Sequence, residues 1–526
     1  MKPCIATVSL SGNLEQKLIA AALAGFQMIE VVEQDLMASG LSPKDLCRRL
    51  SELGISVAAL QPSRDVEGLP EPARSASFER VARQLDLAAS LEANMLLICS
   101  SVSTYAMADP GRIAEDLAAI ADMAKARGLR IGYEALAWGK HIANHADAWE
   151  VVRRADHPAL GLVLDSFHTL GMDMPTDDIP TIPADRIFLV QIADAPRLQM
   201  DILRLSRHHR RLPFLGDHDL PRFIAAVEAS GYAGPLSIEV FSDEFRAANP
   251  VSAARDAMLS LSALGTRMIP VAPTAGGPIQ HPGGLAHSSA DEALKTLPTA
   301  ELGTFGVSLS LGPADRKITV TLTDARIGPG SGLIGTLPEG TVTGVDYIVL
   351  RALSDTARHA KLRLSAALGL GWQDLADMAD PDGPIRLAQL RSKTARLLMA
   401  IPSAERDDAH CQSPAIPNVD LLCLEVADIA LASAALISAG HTLLPVPPAH
   451  LAIAGAQLGL PERELAQLAA AQVFIDKDAS GRYFQVFLAN PINGTMISFA
   501  ERRGGYTGFG LGNAVIWLTH RRRQQP

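Results

Sequence analysis

What this sequence has little of narrows it first. It has five cysteines in 526 residues: Cys4, Cys47, Cys99, Cys411 and Cys423. They form no CxxC pair and their number is odd, which argues against a disulfide framework or a cysteine-built zinc site. Reduced thiols packed as small core residues, in a cytoplasmic protein, are expected instead. No apolar run approaches the roughly 18 residues that span a bilayer. The opening "MKPCIATVSLSGN" lacks the apolar stretch of a secretion signal and reads as a first strand. Positive charge is also scarce. A formal net charge of -10 offers no basic footprint for nucleic acid, and the "RRR" at 521–523 reads as a solvated tail. The partner expected is therefore a small molecule, with neither nucleic acid nor membrane involved, and the chain is expected to be a homo-oligomer.

What is present is a globular composition, with 48% apolar and 20% charged residues, in a chain long enough for two to four domains. Up to about residue 266 the pattern alternates. Eight short β-rich runs, "CIATVSL" (4–10), "MIEVVEQ" (28–34), "SVAALQP" (56–62), "NMLLICS" (94–100), "RIGYEAL" (130–136), "LGLVLDS" (160–166), "RIFLVQI" (186–192) and "PLSIEVF" (235–241), are separated by stretches with helical spacing of apolar residues, such as 77–92 and 110–128. Eight strands alternating with helices over ~250 residues is the rhythm of a (β/α)8 TIM barrel. A doubly wound open sheet is the competing arrangement. Residues 267–298 are rich in Pro, Gly and small side chains and read as a linker or surface wrap. From 299 to 526 a strand-then-helix unit recurs, at 346–368 and again at "VDLLCLEVADIALASAALISAG" (419–440). This predicts an α+β domain built from repeated modules.

In a barrel, side chains at the C-terminal strand ends converge on one mouth. Four successive strands carry an oxygen-bearing residue there: Glu134, Asp165, Gln191 and Glu239. Each lies in apolar sequence, where an unpaired carboxylate is costly to bury. A divalent cation offsets that cost for all four together, and an all-oxygen shell suits Mg or Mn, with Co also compatible, more than zinc. The bland alternative is that each acid pairs with an arginine or caps a helix.

Six stretches then carry a more specific likeness: "QPSRDVEG" (61–68), "YEALAWGKHI" (133–142), "LDSFHTL" (164–170), "VQIADAP" (190–196), "SRHHRRLP" (206–213) and "SIEVFSDEF" (237–245). Through them the first half resembles the sugar phosphate isomerase-like barrels, and within these the bacterial 3-dehydroshikimate dehydratases. The resemblance implies that Glu134, Asp165, Gln191 and Glu239 form the metal shell, and that Arg64, His168, Ser206 and Arg210 bind substrate and catalyse. It implies dehydration of 3-dehydroshikimate to protocatechuate in quinate and shikimate breakdown. One departure is visible: members often read close to "PGQG" where this chain has "PFLG" (213–216).

That reaction removes a proton beside a ketone and expels a ring hydroxyl. A cation at the ketone stabilises the enolate charge, and histidine is the side chain suited to move the proton near neutral pH. His168, three residues past Asp165, is the candidate base, with His141 and His208 as weaker ones. Arg64 and Arg210 offer paired N–H donors for the ring carboxylate, and Arg207 can exchange roles with Arg210. Isomerisation or epimerisation of a sugar on the same barrel is the alternative reading. A carboxylate needs the arginine pair and a neutral sugar does not.

The end of the chain, "ERRGGYTGFGLGNA" (501–514), resembles the hydroxyphenylpyruvate dioxygenase-like proteins, a vicinal-oxygen-chelate fold. Such folds hold Fe(II) with two histidines and a glutamate. Aligned by eye, those positions fall on Tyr347, Leu421 and Ser498, none of which can serve. The expectation is a domain that keeps the fold, lacks the metal and has a structural or regulatory role. "GFGLGN" and "GPGSG" (328–332) read as turn-forming glycine runs and not as phosphate loops.

Overall fold

A computed structural model describes residues 1–264, 309–311, 318–320, 337–352, 354–368, 370–375, 377–378, 384–390, 396–402, 418–491 and 495–514. The chain divides into two compact units, Met1–Leu285 and Ala286–Pro526. The expected linker at 267–298 and the "GPGSG" run lie outside the described residues. Among the described residues no helix is long and apolar enough to cross a membrane.

The first unit is a closed barrel of eight parallel strands: β1 Lys2–Ala6, β2 Met28–Val32, β3 Ser56–Ser63, β4 Met95–Cys99, β5 Arg130–Glu134, β6 Leu160–Asp165, β7 Ile187–Ile192 and β8 Pro235–Ile238. Each strand pairs with the next, and β1 with β8 closes the ring. All eight predicted strands are present, and the open-sheet alternative is excluded. The strands are nearly continuous apolar runs because both faces are covered; β4, β6 and β7 are buried at every residue. Local chemistry sets the helix limits. Asn13 and Gln16 form a reciprocal capping box at the first helix, Leu14–Ala24. The helix expected from residue 77 begins earlier, at Ala73, directly after Pro72. Inside the ring Gly132 is required by space: a Cβ there would come within 2.8 Å of both Val163 and Met95 side chains.

The second unit contains a two-stranded antiparallel sheet, β9 Leu309–Leu311 with β10 Ile318–Val320, and an eight-stranded mixed sheet. The larger sheet comprises β11 Val342–Arg351, β12 Trp372–Asp374, β13 Ile385–Leu390, β14 Leu397–Pro402, β15 Asn418–Val426, β16 Phe474–Lys477, β17 Gly481–Phe487 and β18 Met496–Gly504, in the order β12-β13-β14-β11-β15-β18-β17-β16. This order is the same module twice. Each copy is a strand, one or more helices and three further strands, and the two copies abut where β11 and β15 pair antiparallel. One face of the sheet is packed with Ile348, Met399, Leu422, Leu436 and Phe499, among others. The other carries Tyr347, Leu421, Cys423, Tyr483 and Phe487.

Candidate active site at the barrel mouth

The strand ends do what the spacing predicts. Glu134 and Asp165 are the last residues of β5 and β6, Gln191 is one from the end of β7, and Glu239 directly follows β8. All four are buried, none more than 4% exposed. Asp165 also starts the short helix Ser166–Leu170: its Oδ1 accepts from Phe167 N at 2.7 Å. That turn brings His168 back over the strand end. One ligand atom each from Glu134, Asp165 and His168 lies within 4.8 Å of the others.

His168 is held from several sides. Its Nδ1 accepts from Ala137 N at 3.1 Å, Trp138 and Phe167 meet its ring edge-on at 5.1 and 5.6 Å, and Nε2 lies 3.4 Å from Glu134 Oε1 and 3.6 Å from Asp165 Oδ2. The neutral ring therefore carries its hydrogen on Nε2, an assignment inferred from these partners. His141 and His208 are committed elsewhere: His141 Nε2 lies 2.8 Å from Ala106 O, and the exposed His208 pairs with Asp243 at 2.9 Å.

Arg210 differs from its expected place. It is 1% exposed and turned inward. Its Nη1 donates to Asp165 Oδ2 at 2.7 Å and Glu239 Oε2 at 3.2 Å, Nη2 lies 3.3 Å from His168 Nε2, and Nε and Nη2 both donate to the buried Ser206 Oγ. Its fork is spent on the acids. Near this cluster, neither Arg64 nor Arg207 makes an ion pair among the described residues. Burial, with Arg64 and Arg210 close by, draws the Arg207 pKa down, and the Arg207 guanidinium lies over Trp138 and Phe241. The charge of Arg64 also reaches the Cys99 thiol.

Two residues absent from the sequence reading complete the interior. Glu30 of β2, fully buried, accepts from Gln191 Nε2 at 2.8 Å, from Gln61 Nε2 at 2.9 Å and from Ser237 Oγ. Gln61 also donates to Glu239 Oε1 at 3.1 Å. Burial raises the Glu30 carboxyl to about 7 and pushes that of Glu239 well above the usual range, Arg210 opposing it. Of the four buried carboxyls, only Asp165 and Glu239 are in contact with the buried Arg210 guanidinium. Gln191 Oε1 is buried with no hydrogen-bond partner among the described residues. Unmatched negative charge beside an orphaned amide oxygen is the condition a divalent cation relieves, and the oxygen donor set fits one.

The "PFLG" departure is resolved in the same region. Phe214 adopts φ 71°, the left-handed backbone that a glycine takes freely and a phenylalanine only under strain. Gly216 next to it has no alternative: a Cβ would lie 2.2 Å from Asp194 Oδ1.

Comparison with known proteins places the scaffold. Residues 18–264 match the xylose isomerase-like TIM barrel family. Over those residues the closed eight-stranded barrel is similar to that family. Over 261 residues this barrel is 48% identical to a 3-dehydroshikimate dehydratase of Pseudomonas aeruginosa and 46% identical to one of Pseudomonas putida. Each match covers 50% of this chain and 41% of the relative, so the chain spans about two-fifths of the length of these curated relatives. A solved structure described as a "xylose isomerase-like TIM barrel/4-hydroxyphenylpyruvate dioxygenase fusion protein" matches 100% of both chains with a TM-score of 0.72 and 27% identity.

Outside the barrel, the three positions aligned with a dioxygenase triad do not meet as a ligand set. Tyr347 and Ser498 are joined through Gln485 Nε2, at 3.2 and 3.1 Å, while Leu421 is an apolar core residue. The "GFGLGN" run is a turn only in its first half: it bends at Gly508, passes through Gly510 at φ 62° and enters a helix at Leu511, with Phe509 packed against Tyr347. Among the described residues the one cluster of metal-ligating groups is that of the barrel.

Proposed function

We propose that this chain is a metal-dependent 3-dehydroshikimate dehydratase, a hydro-lyase yielding protocatechuate, in which a barrel domain over 1–266 does the chemistry. The 299–526 domain has a structural or regulatory role. The observation carrying this is the grouping of Glu134, Asp165 and His168 within 4.8 Å, with Glu239 joined to Asp165 through Arg210 and the Gln191 amide oxygen left unpartnered, in a barrel nearly half identical to two such enzymes. Those four side chains would hold the cation, Mg or Mn for a hard oxygen shell. When bound, it supplies Lewis-acid polarisation of a ketone oxygen.

The chain's own residues do the rest. Arg64 and Arg207, free of acid partners, receive the ring carboxylate through their planar forks. Arg210, fixed by Ser206, favours the ionised forms of Asp165 and Glu239 and borders His168 Nε2. His168 transfers the proton. With Nδ1 accepting from Ala137, the hydrogen of the neutral ring sits on Nε2, and the acid that protonates a departing hydroxyl is the imidazolium formed once the ring has taken the proton from carbon. Drawing the proton from carbon needs the other tautomer, with the Ala137 contact given up. Trp138 and Phe167 limit water around that ring.

The unpaired arginines disfavour a neutral sugar as substrate. The test is to incubate the purified protein with 3-dehydroshikimate and Mg or Mn and to follow the aromatic product by absorbance. No product with either ion, under conditions where the protein is folded and metal-loaded, refutes the reading.

A further inference from the structure

Glu30 lies in the middle of β2, away from the strand ends that carry the other acids, and no step above uses it. Its partners say what it does. A carboxylate oxygen only accepts, whereas an amide has a donating and an accepting end. Glu30 Oε2 takes Gln191 Nε2 at 2.8 Å, which leaves Gln191 Oε1 as the opposite end, buried and without a partner. Left to itself the amide can present either end, and its NH2 end repels a cation. The same Glu30 oxygen takes Gln61 Nε2 at 2.9 Å, and Gln61 donates to Glu239 Oε1 at 3.1 Å. Ser237 Oγ donates to the other Glu30 oxygen and pins the carboxyl.

We propose that Glu30 is a positioning residue that decides which end of the Gln191 amide faces the cation and, through Gln61, fixes Glu239. This rests on the metal-site reading above, and extends it to a residue outside the four side chains proposed to hold the ion. Outer partners of metal ligands commonly set affinity by roughly 10–100-fold.

The experiment measures Mn(II) binding by calorimetry, without substrate, on the full chain. Glu30→Gln keeps size but puts an NH2 group opposite donors; Gln191 then turns over and presents its own NH2 to the ion. Binding is expected to weaken by roughly 10–100-fold. Adding Gln191→Glu to Glu30→Gln restores the logic: the new amide donates to one carboxylate oxygen and the second oxygen faces the ion. The double variant is expected to regain at least about tenfold over Glu30→Gln, within that range. Gln191→Glu alone is the control for charge: beside an intact Glu30 it opposes two carboxylates and should not tighten Mn(II) binding, whereas a gain there equal to that in the double variant overturns the proposal.

Mn(II) affinity unchanged in Glu30→Gln, or a double variant no tighter than the single one, overturns the proposal. Should Glu30→Gln not fold, Ser237→Ala, which frees one oxygen of the carboxyl, is read instead. It is expected to weaken Mn(II) binding, and unchanged affinity counts against the proposal. If the unaltered protein binds no Mn(II), the metal-site reading fails and this falls with it. If it binds Mn(II) but makes no aromatic product, the dehydratase reading fails and this proposal stands.

Discussion

Exchange of Glu67 for glutamine is expected to stabilise the barrel at pH 8 and to do almost nothing at pH 4. Glu67 sits in the loop that follows β3 and carries Arg64. It is 2% exposed; its Oε1 accepts from Ser101 N at 2.6 Å and Tyr133 Oη at 3.0 Å, while Oε2 has no partner. Burial raises its carboxyl from 4.5 to about 7, against the pull of those hydrogen bonds. The fold therefore prefers the protonated acid. Between pH 4.5 and 7 the unfolded chain has released this proton while the native one keeps it, so stability falls as pH rises through that window and levels off above it. A gap of about 2.5 pH units at about 1.36 kcal/mol each gives a penalty on the order of 3 kcal/mol at pH 8. Glutamine keeps the accepting oxygen for Ser101 and Tyr133, places its NH2 where the acid's hydroxyl already lacked a partner, and cannot ionise. Urea unfolding of both proteins at pH 4, 6 and 8 reads the difference. Other titrating groups, Glu30 among them, cancel in the comparison. An advantage of Glu67→Gln that does not grow from pH 4 to pH 8 refutes the reasoning. Because Arg64 stays anchored, kcat and KM should not change.

The other expectations concern the site and the second unit. Glu239→Ala should lose its cation, read by elemental analysis of purified protein; full occupancy contradicts the ligand role. His168→Gln keeps a donor but cannot transfer a proton, so the rate should fall by roughly 10²–10⁴-fold with metal content intact, and a near-normal rate reduces His168 to a hydrogen-bond donor. Arg207→Met should raise KM for 3-dehydroshikimate by roughly 10–150-fold, the equivalent of a charge-assisted hydrogen bond of about 1.5–3 kcal/mol; an unchanged KM removes it from the carboxylate site. In the second unit, Arg502 pairs with the buried Asp346 at 2.6 Å. Arg502→Met leaves Asp346 with Arg396 at 3.3 Å and Tyr483 Oη at 2.8 Å, and should cost that unit about 1.5–3 kcal/mol, seen as a lowered calorimetric transition, while Mn(II) binding by the barrel is retained.

How much of this was legible in the sequence follows from which facts depend on spacing alone. Apolar runs bounded by helical stretches specify eight strands, and a strand's last residue faces the mouth in any parallel barrel, so Glu134, Asp165, Gln191 and Glu239 could be read off. Glu30 could not, because it stands mid-strand in "MIEVV". Barrel strands are staggered against one another, and it is pairing of Glu30 with Ala6 and Ala59 that brings it level with Gln191 and Gln61. No local pattern encodes that offset. Arg207 and Arg210 show the same limit at finer scale. Three residues apart in one basic run, they are distinguished by where the helix Ile202–His208 stops. Arg207 is in its last turn, while Arg210 lies beyond it and is tied to β8's extension by its backbone N–H on Phe241 O at 3.1 Å. That tie turns one guanidinium into the barrel and leaves the other at the mouth.

The second unit makes the point from the other side. Alignment by eye put the lost ligands at Tyr347, Leu421 and Ser498, but the ladder runs Tyr347 to Cys423 and Cys423 to Ser498. Leu421 is two residues further along the same face, and β11 is bulged between Val345 and Tyr347. Side chains two apart share a face, so hydropathy cannot separate the two registers. The network can: Gln485 donates to Tyr347, Ser498 and, at 3.7 Å, the Cys423 thiol, and Asn513 in turn donates to Gln485. Buried polar groups need partners, and here an amide satisfies the row of side chains that a ligand set would have turned toward an ion. A sheet that has closed such a row with its own hydrogen bonds cannot regain a metal by one substitution, since each exchange would orphan at least one of Gln485's partners.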